Sequence, residues 1–119
     1  MSTRASVVDT PRQEAMRIAG DKVRTDRTIE IRYPWTGEVV ATVPKATVED
    51  VRRAFKIARD YKPTLTRHER YKILMKAGEL IAARLHEIAR LITLESGLCL
   101  KDTVYEVGRA SDVLLFAAQ

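Results

Sequence analysis

Tyr71, Leu74, Gly78, Ile81, Leu85, Ile88 and Ile92 follow one another at spacings of three and four without a miss, which is the period of one face of an α-helix. Met75, Ala77, Ala82, Ala89 and Leu91 widen that stripe. The helix is therefore apolar on more than one side and demands more than one partner surface. Thr66-x-x-Glu69 opens it as a capping box. Thr93-Leu94-Glu95-Ser96-Gly97 closes it, with Gly97 in the left-handed capping position that only glycine takes cheaply. One continuous helix from about 66 to 96 is predicted.

The flanking patterns supply too little to cover such a helix. Residues 1–14 lack periodicity and read as a flexible arm. Met16, Ile18, Gly20-Asp21 and Val23 read as a short hairpin around a Gly-Asp turn. A second hairpin has strands at about 28–32 and 38–43, joined by Tyr33-Pro34-Trp35-Thr36-Gly37-Glu38. Thr47-Val48-Glu49-Asp50 offers an N-cap with acids in the first turn. That first helix runs to about Tyr61 on a stripe of Val51, Ala54, Phe55 and Ala58, with Pro63 past its end. Thr103-x-x-Glu106 opens a third helix through Gln119. Val107, Ser111, Leu114, Leu115 and Ala118 form its core-facing stripe, and Tyr105, Arg109, Asp112 and Phe116 share another face. Two hairpins and three helices without the strands to pack them are the edge of a domain.

Charge and cysteine usage narrow the function classes. The net charge of +5 would suit a nucleic-acid partner if the basic residues were concentrated. Instead Arg52, Arg53, Lys56 and Arg59 share a helix with Glu49, Asp50 and Asp60, and Arg67, Arg70, Lys72 and Lys76 alternate with Glu69 and Glu79. Interleaved acids interrupt a phosphate track, so solvated helix faces are the better reading. A self-contained helical interaction or nucleic-acid-binding module is the alternative class. No apolar run approaches the ~20 residues of a membrane span, and the polar, charged stretch from Met1 to Ala19 is no signal peptide. The single cysteine, Cys99, excludes an intrachain disulfide and fits a reducing, cytoplasmic setting. Between Leu98 and Leu100, and with no His nearby, it reads as a buried structural residue rather than a nucleophile. His68 reads as exposed and His86 as packed or half-exposed, and neither has partners at metal-ligand spacing.

The turn Tyr33-Pro34-Trp35-Thr36-Gly37-Glu38, the run His68-Glu69-Arg70-Tyr71-Lys72-Ile73-Leu74 and the close Leu94-Glu95-Ser96-Gly97 occur in that order. The sequence thereby resembles the N-terminal part of the aldehyde dehydrogenase superfamily, with its N-P-x-T-G-E, E-D-V-x-x-A, E-R-x-x-I-L and L-E-x-G-K-P motifs. The resemblance runs from about Met16 to Gln119. Tyr33 stands where the family usually has Asn, and Leu98-Cys99 where Lys-Pro is usual.

This resemblance implies an α/β fold in which residues 15–119 form the N-terminal part of the NAD(P)-binding domain, at the edge of a Rossmann-like layer. The cysteine nucleophile, the general-base glutamate, the oxyanion-hole asparagine and the glycine-rich cofactor turn would all lie beyond Gln119. The implied activity is NAD- or NADP-dependent oxidation of a small aldehyde, in a homodimer or homotetramer with no nucleic acid or membrane partner. The third helix would border the substrate tunnel, with Tyr105 and Arg109 looking into it. An arginine there holds an anion through parallel hydrogen bonds, which favours anionic aldehydes and phosphonoacetaldehyde first among them. The other reading of Arg109 is an ion pair with Glu106 or Asp112 on an exposed helix. A weaker implication is a monovalent cation held by the carbonyls of Ile31 and Arg32 and by Glu95. The alternative for Glu95 is a structural salt bridge.

Overall fold

A computed structural model describes residues 6–119. Two compact units divide the chain, one ending at Lys62 and the other running over Pro63–Gln119.

In the first unit, β1 (Arg12–Gln13), β5 (Val39–Pro44) and β4 (Thr28–Arg32) form a sheet in that order. The β4/β5 hairpin lies where the alternation predicts it. Its turn closes through Tyr33 N–H to the Glu38 carbonyl at 2.9 Å and Gly37 N–H to the Tyr33 carbonyl at 2.8 Å. Gly37 takes φ 76° there, a conformation open to glycine at little cost. Ile31 pairs with Ala41 and Arg32 with Val39, so Val40 is an extra residue on β5. This bulge turns Val40 inward beside Ala41, and both are buried.

Two expectations for this unit change. The arm does not extend unstructured to residue 14, because Arg12 and Gln13 pair in parallel with Ala41 and Thr42; residues 1–5 lie outside the described residues. The first hairpin joins β2 (Met16–Ile18) to β3 (Asp21–Val23) through Ala19-Gly20 rather than Gly-Asp. Ala19 and Gly20 have φ 52° and 89°, the doubly left-handed backbone that matches the strand twist in a two-residue loop.

α1 (Val48–Asp60) begins at the predicted cap: Asp50 N–H donates to the Thr47 hydroxyl at 3.1 Å, and Thr47 N–H donates to the Asp50 carboxylate at 2.9 Å. The backbone bond from Thr47, then the bond from its hydroxyl, hold the Asp50 carboxyl below the usual carboxylate range. None of the helix is buried, and Phe55, central to its apolar stripe, is 73% exposed.

The second unit contains three helices where two are predicted: α2 (Arg67–Ala83), α3 (Leu85–Ser96) and α4 (Leu100–Ala118). The predicted long helix breaks at Arg84, whose backbone leaves the helix at φ −110°, ψ 19°. Arg84 N–H donates to the Ile81 carbonyl at 3.1 Å, and Ile88 N–H resumes the ladder on the Arg84 carbonyl at 3.0 Å. The Arg84 guanidinium clamps both oxygens of Glu87 at 2.9 and 2.6 Å, which holds its proton all the more tightly. The physical reason for the break is reach. At ~1.5 Å per residue a straight helix from 66 to 96 would overshoot α4 by about 15 Å or more. The bend instead lays α2 and α3 in turn along the same α4, which both of them contact.

Ala89, Leu94, Val107 and Ala118 form the core of this unit. Gly97 caps α3 as predicted, at φ 78°, with its N–H on the Thr93 carbonyl at 2.9 Å. The predicted start of α4 is displaced: Cys99, not Thr103, is the N-cap, and Thr103 lies inside the first turn, fully buried. Thr103 turns toward α3 and bonds Thr93, so it is not available to cap. Cys99 is correspondingly exposed rather than buried, because a helix N-cap at a surface turn projects away from the packed face. His86 is also exposed.

Candidate functional site: the exposed face of α4

α4 separates two faces as its sequence spacing requires, with one exception. Leu115, expected on the core-facing stripe, is exposed, since it lies one residue past Leu114 and so turns about 100° away from it. Val107 and Ala118 are buried, and Ser111 and Leu114 half-buried, on the side toward α2 and α3. Tyr105 and Phe116, on the other side, are 67% and 78% exposed. Gly78 of α2 faces Leu114 and Ser111, and a methyl built on it would meet the Leu114 Cβ at 3.8 Å. The two helices pack at Gly78 with room for a methyl group and little more.

Arg109 stands one turn after Tyr105 with its side chain 60% exposed. Its Nη1 donates to the Glu106 carboxylate at 3.3 Å, a single long bond that leaves most of the five guanidinium donors uncommitted. The ion-pair reading of Arg109 is thus present as one exposed contact, worth ~0–1 kcal/mol at most. Asp112 is not its partner. Gly108 opens onto space, with nothing of the described residues within 4 Å of a Cβ built there.

The remaining sequence candidates are divided between the two units. Ile31 and Arg32 belong to the first unit and Glu95 to the second. Ile31 is half-buried at the bulge, while the Arg32 guanidinium donates to the Gly37 carbonyl at 2.9 Å and to Glu30. Glu95 is exposed in the last turn of α3 and has no ion pair among the described residues. No group of three or more His, Cys, Asp or Glu among the described residues is arranged to hold a metal ion. No helix among them is long and apolar enough to cross a membrane. A cleft of about 520 Å³ lies where α2 begins and α4 ends, lined by Arg67, His68, Tyr71, Ala118 and Gln119. Neither Tyr105 nor Arg109 lines it. Sequence reasoning missed the Thr93–Thr103 contact, for which two threonines flanking a glycine turn are the only signal.

The family model of the aldehyde dehydrogenase family matches residues 22–119. The chain is 31% identical over 109 residues to a 3-sulfolactaldehyde dehydrogenase from Priestia aryabhattai, covering 91% of this chain and 23% of that protein. It is 37% identical over 97 residues to malonate-semialdehyde dehydrogenase 2 from Oceanobacillus iheyensis, covering 79% of this chain and 20% of that protein. The crystal structure of an NAD-dependent aldehyde dehydrogenase from Sinorhizobium meliloti superposes with a TM-score of 0.84 at 32% identity, over 92% of this chain and 23% of that one. The chain thus spans less than a quarter of the length of these relatives.

Proposed function

Because the chain belongs to the aldehyde dehydrogenase family, we propose that it supplies the N-terminal stretch of a longer enzyme that oxidises a small anionic aldehyde to its carboxylate. NAD+ or NADP+, when bound, supplies the hydride acceptor. The described residues offer no glycine-rich phosphate cradle, since Gly20, Gly37 and Gly97 serve turns and a cap. The part assigned to this chain in the reaction is substrate binding, through Arg109 and Tyr105. The cysteine that attacks the aldehyde and the base that activates water lie in the rest of that enzyme. A cytoplasmic homodimer or homotetramer completes the reading.

The observation that carries the proposal is Arg109, exposed on the face it shares with Tyr105 and held, among the described residues, by one long bond to Glu106. A fork of parallel N–H donors recognises a distal oxyanion, and the phenol of Tyr105 provides a further donor one turn before it. The names of two relatives support the same chemistry, one aldehyde carrying a sulfonate and the other a carboxylate. Phosphonoacetaldehyde carries a phosphonate in the equivalent place and belongs in the same substrate panel.

The test is steady-state kinetics of the full-length enzyme on 3-sulfolactaldehyde and lactaldehyde, which share a skeleton and differ in the anion. Losing a charge-assisted hydrogen bond costs about 1.5–3 kcal/mol, so Arg109→Met is expected to raise KM for the anionic aldehyde by roughly 10- to 150-fold. Lactaldehyde should be barely affected. Equal losses on both would leave Arg109 as a helix ion pair.

A further inference from the structure

Thr103 is the only buried polar side chain among the described residues, with no accessible surface at all. Its hydroxyl lies 3.0 Å from the Leu100 carbonyl and 3.1 Å from the Thr93 hydroxyl. A hydroxyl has one proton to give. Thr103 donates it to the Leu100 carbonyl, so Thr93 must donate to Thr103. This is a directed bond from the last turn of α3 to the first turn of α4, spanning the Gly97 turn. The apolar burial of the same two helices, Leu94 of α3 and Val107 of α4 included, is non-directional and tolerates rotation of a helix about its axis. A hydrogen bond does not. At ~100° per residue Tyr105 and Arg109 lie on the far side of α4 from Thr103, so any turn of the helix at the clasp swings both of them. Further along, the close approach of Gly78 to Ser111 and Leu114 limits α4 from the α2 side.

We propose that the Thr93–Thr103 hydrogen bond is a positioning contact that sets the rotation of α4 and thereby the selectivity of Arg109 for the anionic end of the aldehyde. The inference rests on the reading of Arg109 given above. Thr93 and Thr103 touch no substrate and act only through the face they hold.

The experiment compares Thr103→Val, Thr93→Val and Thr103→Ser in the full-length enzyme, each alone, with Thr103→Val also combined with Arg109→Met. Thr103→Val keeps the side-chain shape and removes the bond. It is expected to raise KM for 3-sulfolactaldehyde about five-fold, the scale of one neutral hydrogen bond, with kcat and the lactaldehyde KM within two-fold of the parent. Thr93→Val, which removes the same bond from the half-buried side, should reproduce this if Thr103→Val folds poorly. Thr103→Ser retains the hydroxyl and should restore selectivity, and Thr103→Val should add nothing once Arg109 is Met. An unchanged KM, equal losses on both aldehydes, or losses that add to those of Arg109→Met would overturn the clasp while leaving the reading of Arg109 intact. Absence of a selective loss in Arg109→Met itself would overturn that reading and the clasp with it.

Discussion

Gly78 looks indispensable from the closeness of α2 and α4, yet the geometry predicts that alanine improves it. A Cβ there meets the Leu114 Cβ at 3.8 Å and the Ser111 carbonyl oxygen at 3.9 Å, which is ordinary van der Waals contact. Glycine in a helix interior costs about 0.8–1.0 kcal/mol relative to alanine. The added methyl is half-covered and contributes a few tenths more, against ~0.8 kcal/mol for a fully buried one. Gly78→Ala should therefore stabilise the α2–α4 pair by about 1–1.4 kcal/mol, or roughly five- to ten-fold in local opening. Valine reverses the sign. Its γ-methyls reach about 1.5 Å beyond Cβ, its χ1 is nearly fixed in a helix, and overpacking costs about 1–3 kcal/mol. Native-state hydrogen exchange of the α2 and α4 amides in the full-length enzyme reads both variants against the parent. Slower exchange in Gly78→Ala and faster exchange in Gly78→Val are expected. Faster exchange in Gly78→Ala would mean that the helices need the bare backbone, and would refute the argument.

Residues 1–119 expressed alone should bind ANS and lack a sharp cooperative melt, since Phe55 and Phe116 remain 73% and 78% exposed; a cooperative transition of the monomer would contradict this. Cys99→Ala should leave turnover of the full-length enzyme within a few-fold, because Cys99 is an exposed N-cap without a cap bond; loss of the thioester intermediate would contradict it. The capping boxes predict a pH dependence in peptides spanning α1 or α2. Asp50 and Glu69 are both held below their ordinary values, Asp50 chiefly by the Thr47 backbone bond and Glu69 chiefly by the Thr66 hydroxyl. Their contribution is therefore complete above the unfolded values of 3.8 and 4.5 and is lost as pH falls through the lower folded values. Helicity by circular dichroism should drop on acidification. Thr66→Ala should remove most of the drop in α2, whereas Thr47→Ala keeps the backbone N–H that chiefly holds Asp50 and should remove only the smaller part of the drop in α1.

What was legible in this sequence is whatever a few neighbouring residues decide by themselves. Thr47 with Asp50 and Thr66 with Glu69 cap their helices because donor and acceptor sit three residues apart in any helix start. Gly37 and Gly97 adopt left-handed backbone where turn and cap geometry demand it. The face carrying Tyr105, Arg109 and Phe116 follows from helical period alone, and the structure leaves Tyr105 and Phe116 exposed on it.

Arg84 carries no proline or glycine to announce a break, and it bends because α2 and α3 must both reach α4. The spacing of Thr103 and Glu106 is that of a capping box, but the pull of α3 buries Thr103 against Thr93 and passes the cap to Cys99. Arg12 and Gln13 become a strand only because β5 offers them an edge. Local hydrogen-bond chemistry and helical period were thus determined by the sequence itself. The bend, the clasp and the added strand were decided by tertiary structure, because each is the response of one segment to a surface that another, distant in the chain, presents to it.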